Sequence, residues 1–456
     1  MTRIHHLGWF GIVRLGLVQT ALGAIVVLTT STLNRVMVVE YALPAILPGA
    51  LVALHYAVQL SRPAMGHGSD VGGRRTPWII GGMACLALGG VLAALATALM
   101  ESQTLYGILL AVIAFIMIGA GVGASGTTLL ALLAKRVDPK RRAAAATIVW
   151  VMMIVGFVIT AGTAGHFLDP YSSTRLVVVT STVAVSAFFL TLLAVYRIEP
   201  HEPYDGSVDL KGGTATVDDA PKAAFREALA EVWADPEAKK FTIFVFFSML
   251  AYNTQDLILE PFAGSVFGMT PGQSTQLAGM QHGGVLAGMI LVAVAASAIG
   301  GRILGSLKMW TVGGCIASGI ALIVLAIGGL YAPTFPIKAS VFALGFANGA
   351  FAVAAIASMM NLAGEGKTKR EGMRMGLWGA SQAIAFGLGG FLGTVAIDIT
   401  RAVFENTAVA YGVVFLGEAL IFLIAAKLAM SIKQPNAATG AVRTTTPGEG
   451  YLAGLG

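Results

Sequence analysis

Asp256 and Glu260 stand one helical turn apart in the run Asn253-Thr254-Gln255-Asp256-Leu257-Ile258-Leu259-Glu260-Pro261, inside an otherwise apolar segment. At i, i+4 they share one helix face about 6 Å apart. Two carboxyls that close favour a shared proton or a basic partner. A basic partner exists in the stretch Asn34-Arg35-Val36-Met37-Val38-Val39-Glu40. If the two stretches face each other, Arg35 contacts Asp256 or Glu260. Such a contact is read first as a static brace between helices. A proton-coupling role for the carboxyls is the alternative, because charges held in lipid default to pairing or to function.

Of seven histidines, only His55 and His282 lie well inside apolar segments. Neutral imidazole is a metal ligand and can bind axially to the metal of a tetrapyrrole, as it does to haem iron. His282 is the first choice for such a role and His55 the second. His282 sits in Met280-Gln281-His282-Gly283-Gly284, where two glycines leave room for a flat ring beside the imidazole, with Gln281 as a polar neighbour. The plainer reading of each histidine is a hydrogen bond to a neighbouring helix. The run Gly119-Ala120-Gly121-Val122-Gly123-Ala124-Ser125-Gly126 could likewise approach a flat ligand, but close helix packing explains it more simply. Cys85 and Cys315 stand alone without ligand spacing and read as small packing residues.

The elements that position these residues follow from composition. Apolar residues make up 56% of the chain and charged residues 11%, and mean hydropathy is +0.79. A soluble domain carries about 25% charged residues, so lipid must be the solvent here. Twelve segments are long enough to span, near 11–34, 44–62, 77–99, 104–134, 143–166, 174–197, 241–263, 276–298, 308–330, 336–362, 373–398 and 407–430. With the N-terminus, the even-numbered connections and the tail on one side, the basic residues left opposite are Arg35, Arg175, Lys338 and Arg401. That asymmetry places both termini in the cytoplasm. It also accounts for the net charge of +6 without any nucleic-acid partner. No small-residue cleavage site follows the N-terminus, so no cleavable signal peptide is expected.

The layout occurs twice. Arg142 and Trp150 are matched by Arg370 and Trp378 at an offset of 228, as Gly162 and Gly165 are by Gly390 and Gly393. Val39-Glu40 is matched by Leu259-Glu260 at 220. A duplicated membrane bundle places its binding site where the halves face each other. The expected domains are a six-helix half over 1–197, a cytoplasmic linker over 198–240, a second six-helix half over 241–430 and a disordered tail over 431–456. Within the linker, Phe225, Leu229, Val232 and Trp233 have the spacing of an amphipathic surface helix.

Between segments 2 and 3 runs Gly66-His67-Gly68-Ser69-Asp70-Val71-Gly72-Gly73-Arg74-Arg75. Matched at Gly66, Asp70, Gly73, Arg74 and Arg75, it resembles the gating-loop motif of the major facilitator superfamily. Longer runs are more specific. Leu33 to Glu40, Gln255 to Phe262, Met280 to Gly284, Asn348 to Phe351, Arg370 to Gly376 and Trp378 to Gln382 are similar to the PucC/LhaA family. The segment Asp70 to Trp78 looks most like the branch labelled a bacteriochlorophyll synthase chain.

The resemblance implies an all-α membrane protein of the major facilitator superfamily fold, with twelve transmembrane helices in two halves. It implies a non-enzymatic role in the photosynthetic membrane of a phototrophic bacterium. There it would carry (bacterio)chlorophyll, or a precursor, to light-harvesting apoproteins. His282 would be an axial ligand of the pigment magnesium, with no metal held directly by the protein. The chain has no nucleotide loop, no Asp-rich diphosphate motif and no nucleophile–base constellation, so no catalytic residue is expected. The competing readings are a proton-coupled small-solute transporter and a scaffold that works with chlorophyll synthase.

Overall fold

A computed structural model describes residues 7–62, 65, 69, 74–138, 141–199, 233–295, 306–332, 334–364 and 371–432. The predicted amphipathic linker helix lies outside the described residues except for Trp233, as do Gly66, Asp70 and Gly73 of the loop motif and the whole tail beyond Ile432.

Twelve helices are present among the described residues. The first half comprises α1 (Trp9–Glu40), α2 (Ile46–Ser61), α3 (Thr76–Met100), α4 (Thr104–Arg136), α5 (Arg142–Leu168) and α6 (Ser173–Val195). The second comprises α7 (Pro236–Phe267), α8 (Pro271–Ala295), α9 (Leu307–Tyr331), α10 (Ile337–Gly364), α11 (Glu371–Val403) and α12 (Thr407–Ser431). Eleven of them are long and apolar enough to cross a membrane, and α2 is a shorter apolar helix. The turn before α2 contains Pro44, and Ala42 in it adopts φ 51°. α1 runs six residues beyond the expected segment 11–34. It does so by widening into i→i+5 hydrogen bonding over Leu28–Thr32 and Val36–Glu40.

Helix starts obey local chemistry. Asp235 caps α7 ahead of Pro236, and Ser172, Ser306 and Asn406 cap α6, α9 and α12. Packing repeats between the halves. α1 lies on α5 and α6 as α7 lies on α11 and α12. α3 lies on α4 and α6 as α9 lies on α10 and α12, and α2 meets α4 as α8 meets α10. The halves join along two seams, α5 on α8 and α11 on α2, with α1 and α7 between them. One large apolar core runs through α1–α6 and another through α7–α12.

Small residues bring these backbones together. A methyl group on Gly119 would lie 2.5 Å from the His55 carbonyl, and one on Gly121 would lie 2.5 Å from the Leu86 nitrogen. The glycine run of α4 is therefore occupied by its contacts with α2 and α3.

Candidate functional site

The polar residues of α1 and α7 meet at the centre of the molecule, and a proline organises their meeting. Pro261 has no N–H, so the Leu257 carbonyl one turn earlier loses its partner within the helix. Asn34 of α1 replaces it, donating from Nδ2 to Leu257 O at 2.5 Å. One turn earlier on α1, Ser31 donates to Glu260 at 2.5 Å. Glu260 is almost fully buried and also accepts from Ser274 (3.2 Å) and Thr275 (3.4 Å) at the start of α8. Thr275 meets Thr32 at 3.0 Å. Three hydroxyls thus gather on one carboxyl and tie three helices together.

Arg35 does not pair with Asp256 or Glu260. It forms its ion pair with Glu40, five residues along the same helix, where the i→i+5 winding brings the two side chains together. Its other terminal nitrogen donates to Met269 O at 2.6 Å. That carbonyl is positioned by Gly268, whose φ of +65° ends α7 in the left-handed conformation glycine adopts readily. Gly264 is part of the same arrangement, since a methyl group there would lie 2.9 Å from the guanidinium. The expected brace exists, but as an arginine on a helix-terminal carbonyl. Asp256 turns instead to α8, accepting from Gln281 Nε2 at 3.2 Å.

The two histidines differ. His55 Nε2 lies 2.7 Å from Gln59 Nε2, one turn along α2, and Gln59 in turn accepts from Arg62. His282 lies at the α5–α8 seam with its ring centroid 4.8 Å from that of Phe157. In both histidines Nδ1 is buried without a hydrogen-bond partner among the described residues. The space beside His282 differs from the expectation of two free glycines. Gly283 faces open space, whereas a methyl on Gly284 would lie 2.3 Å from Phe342 O, so that glycine serves contact with α10. With one open glycine alongside and no side-chain bond among the described residues holding the ring, His282 fits an axial ligand better than His55, whose Nε2 is tethered. Gln281, already engaged by Asp256, is a positioning neighbour.

Of the loop motif, Arg74 and Arg75 are described. The Arg75 and Thr76 backbone nitrogens donate to Glu199 at 3.0 and 2.7 Å, so a carboxylate after α6 caps the start of α3. Cys315 is buried in the second core, and Cys85 points its thiol at Met117 O.

The seams are closed by a matched pair of carboxylates. Asp169, after α5, accepts from Thr270 Oγ1 (2.7 Å) and Gly272 N (3.2 Å) at the start of α8. Asp398, near the end of α11, accepts from Ala45 N (2.9 Å) and Ile46 N (2.7 Å) at the start of α2. Each half therefore caps a helix of the other.

Residues 32–437 match the family described as PUCC protein. The chain belongs to this family. It is 53% identical over 441 residues to the "Bacteriochlorophyll synthase 44.5 kDa chain" of Rhodobacter capsulatus, covering 96% of this chain and 98% of that one. It is 30% identical over 406 residues to "Protein PucC" of Cereibacter sphaeroides, covering 86% and 84%. Among solved structures it resembles a bacterial homologue of the human lysosomal transporter Spinster in an inward-facing, unoccupied conformation. The TM-score is 0.63 at 16% identity, over 94% of this chain and 98% of that one. It also resembles a bacterial homologue of the human drug peptide transporters PepT1 and PepT2. There the TM-score is 0.63 at 14% identity, over 93% and 97%. This PUCC-family protein therefore has an all-α, multi-pass membrane fold of the major facilitator superfamily type.

Three buried polar residues of this PUCC-family chain escaped the sequence reading. Glu418 of α12 is 2% exposed, and both carboxyl oxygens lack a hydrogen-bond partner among the described residues. Gln255 of α7 is fully buried with both amide atoms unpartnered. Asn348 of α10 accepts from Ser318 Oγ at 2.8 Å but leaves Nδ2 unpartnered. The available signal was Glu418 itself, a lone acid in the apolar run Gly412 to Ala426.

Proposed function

We propose that this protein is a non-enzymatic carrier of bacteriochlorophyll or a close precursor, handing pigment to light-harvesting apoproteins in the photosynthetic membrane of a bacterium, with both termini cytoplasmic. The observation that carries the reading is the likeness, along nearly the whole chain, to a relative named for bacteriochlorophyll, on a fold built for moving cargo. The word "synthase" in that name bears on the pathway served. The fold and the absence of a nucleophile–base constellation from the sequence support carriage over catalysis.

The chemistry of the seam is compatible with such cargo. A magnesium-centred macrocycle takes one axial nitrogen, and His282 offers an imidazole without a competing hydrogen bond among the described residues. Phe157, against the ring, supplies an aromatic face. The test is an absorption spectrum of the full chain purified from a phototroph. Pigment bound in stoichiometric amount is the expected result, and a colourless protein that supports antenna assembly would overturn it.

Two other readings each rest on an observation. The in-span carboxyls Asp256, Glu260 and Glu418 favour a proton-coupled transporter of a small solute. The relative's printed name favours a scaffold beside chlorophyll synthase. Co-purification of the synthase would support the scaffold, and uptake of a polar solute without pigment would support the transporter.

A further inference from the structure

Glu418 lies on the face of α12 that packs against α7. Phe262 of α7 touches Phe415 and Tyr411 of α12, with ring centroids 4.9 and 5.6 Å apart. Helices seven and twelve of an alternating bundle run antiparallel. One turn onward from Phe415 lies Glu418, and two turns back from Phe262 lies Gln255, so both are displaced in the same direction through the membrane. A third helix reaches this level. A methyl on Gly319 of α9 would lie 3.3 Å from Ala419 O, which sets the adjoining Ser318 and its partner Asn348 beside Glu418.

The three side chains therefore share one layer of the second half, and their polar atoms do not satisfy each other. Glu418 contributes two unpartnered acceptors, Gln255 one donor group and one acceptor, and Asn348 one donor group. Native interiors leave few such atoms, and each needs an explanation such as a water, an ion or a proton. Burying a carboxylate without a cation is strongly unfavourable. No cation pairs with Glu418 among the described residues.

The charged surroundings can be named element by element. From α7 comes the carboxyl of Asp256, which acts on Glu418 through space and makes no hydrogen bond to it. From α9 the buried face carries Cys315, a thiol. From α11 the charged residues Asp398 and Arg401 act on Tyr411, two turns away from Glu418. Asp256, unlike Glu418, is partly exposed.

We propose that Glu418 is a proton-binding site inside the second half. A proton taken from water forms the O–H bond at one Glu418 Oε, and the carboxyl is then neutral. The inference is independent of the cargo, since it rests on the layer alone.

The test is infrared spectroscopy of the full chain in lipid nanodiscs, following the carbonyl stretch of a protonated carboxylic acid across pH. Wild type should show a protonated glutamate band, lost in Glu418→Gln and shifted in position or pH midpoint in Asp256→Asn. An unchanged spectrum in Glu418→Gln would overturn the proposal. Should Glu418→Gln fail to accumulate, ¹³C-glutamate labelling of Glu260→Gln decides the matter. A label-sensitive protonated band supports the site, and its absence sinks it. A sodium-dependent rise in melting temperature together with loss of the band would also overturn it, in favour of a metal cation.

Discussion

The two halves share a plan and differ in where they keep charge. In α1–α6 the acidic residues Glu40, Glu101, Asp138 and Asp169 stand at helix ends or connections. In α7–α12, Asp256, Glu260 and Glu418 lie within the helices. The matched histidines differ less sharply: both leave Nδ1 unpartnered among the described residues, and only His55 is tied to its own helix, through Nε2. What the halves have kept in common is the pair of cross-half caps, Asp169 on α8 and Asp398 on α2. Duplication preserved the joint, while titratable chemistry gathered on one side of it. The first half contributes one donor to that chemistry, Ser31 on Glu260, while Asn34 and Arg35 donate to the backbone carbonyls of Leu257 and Met269.

The strongest way to break this division is at Arg35. Arg35→Ala removes the ion pair with Glu40 and the bond to Met269 O, and Arg35 is only 2% exposed. Breaking a buried pair costs about 3–5 kcal/mol. Because Glu40 is partly exposed, the lower end of that range is expected, read as a lower melting temperature and lower protein level. Neutralising Asp256 should give no recovery, whereas Glu40→Gln should give some. Recovery through Asp256 would restore the pairing the structure rejects.

Asn34→Ala strands the Leu257 carbonyl and should cost about 1–3 kcal/mol. Adding Pro261→Ala returns an N–H to that carbonyl and should recover part of the loss. A purely additive double mutant would show that the proline and the asparagine are not linked.

The two caps sharpen the comparison from the other direction. Asp169→Ala and Asp398→Ala should each cost about 0.5–2 kcal/mol, as lost helix caps do, and by similar amounts in thermal unfolding. A marked inequality would end the claim that the joint is symmetric.

The smallest effect on stability is expected at the histidines, where pigment content is the readout. His282→Leu should lower bound pigment with the folded protein retained, and His55→Leu should leave pigment unchanged. The reverse pattern would move the cargo site to the first half.

Much of this architecture was legible in the sequence, for reasons that are local. Twelve apolar runs, the offset of 228 and the isolated charges follow from composition and spacing. The Arg35 partner was not legible, because an ordinary helical period does not bring residues five apart together, and the widened turn of α1 does. The Asn34–Pro261 link was hidden for a related reason. Proline marks a freed carbonyl, but only the packed structure shows which side chain reaches it. The caps were missed because Asp169 and Asp398 are 229 apart, one residue off the repeat of their neighbours. Glu418 was visible as a lone acid, and its significance depended on Gln255 and Asn348, which lie in distant segments.

The caps also have a mechanical consequence. Two attachment points define an axle, and both carboxylates lie toward the face opposite the basic loops. Any rocking of one half on the other that leaves them intact must turn about the line joining them. Displacement then grows with distance from that line and is greatest at the basic-loop ends of the helices. Glu260, close to the axle, would move little, whereas His282, about two turns deeper along α8, would sweep a longer arc against Phe157.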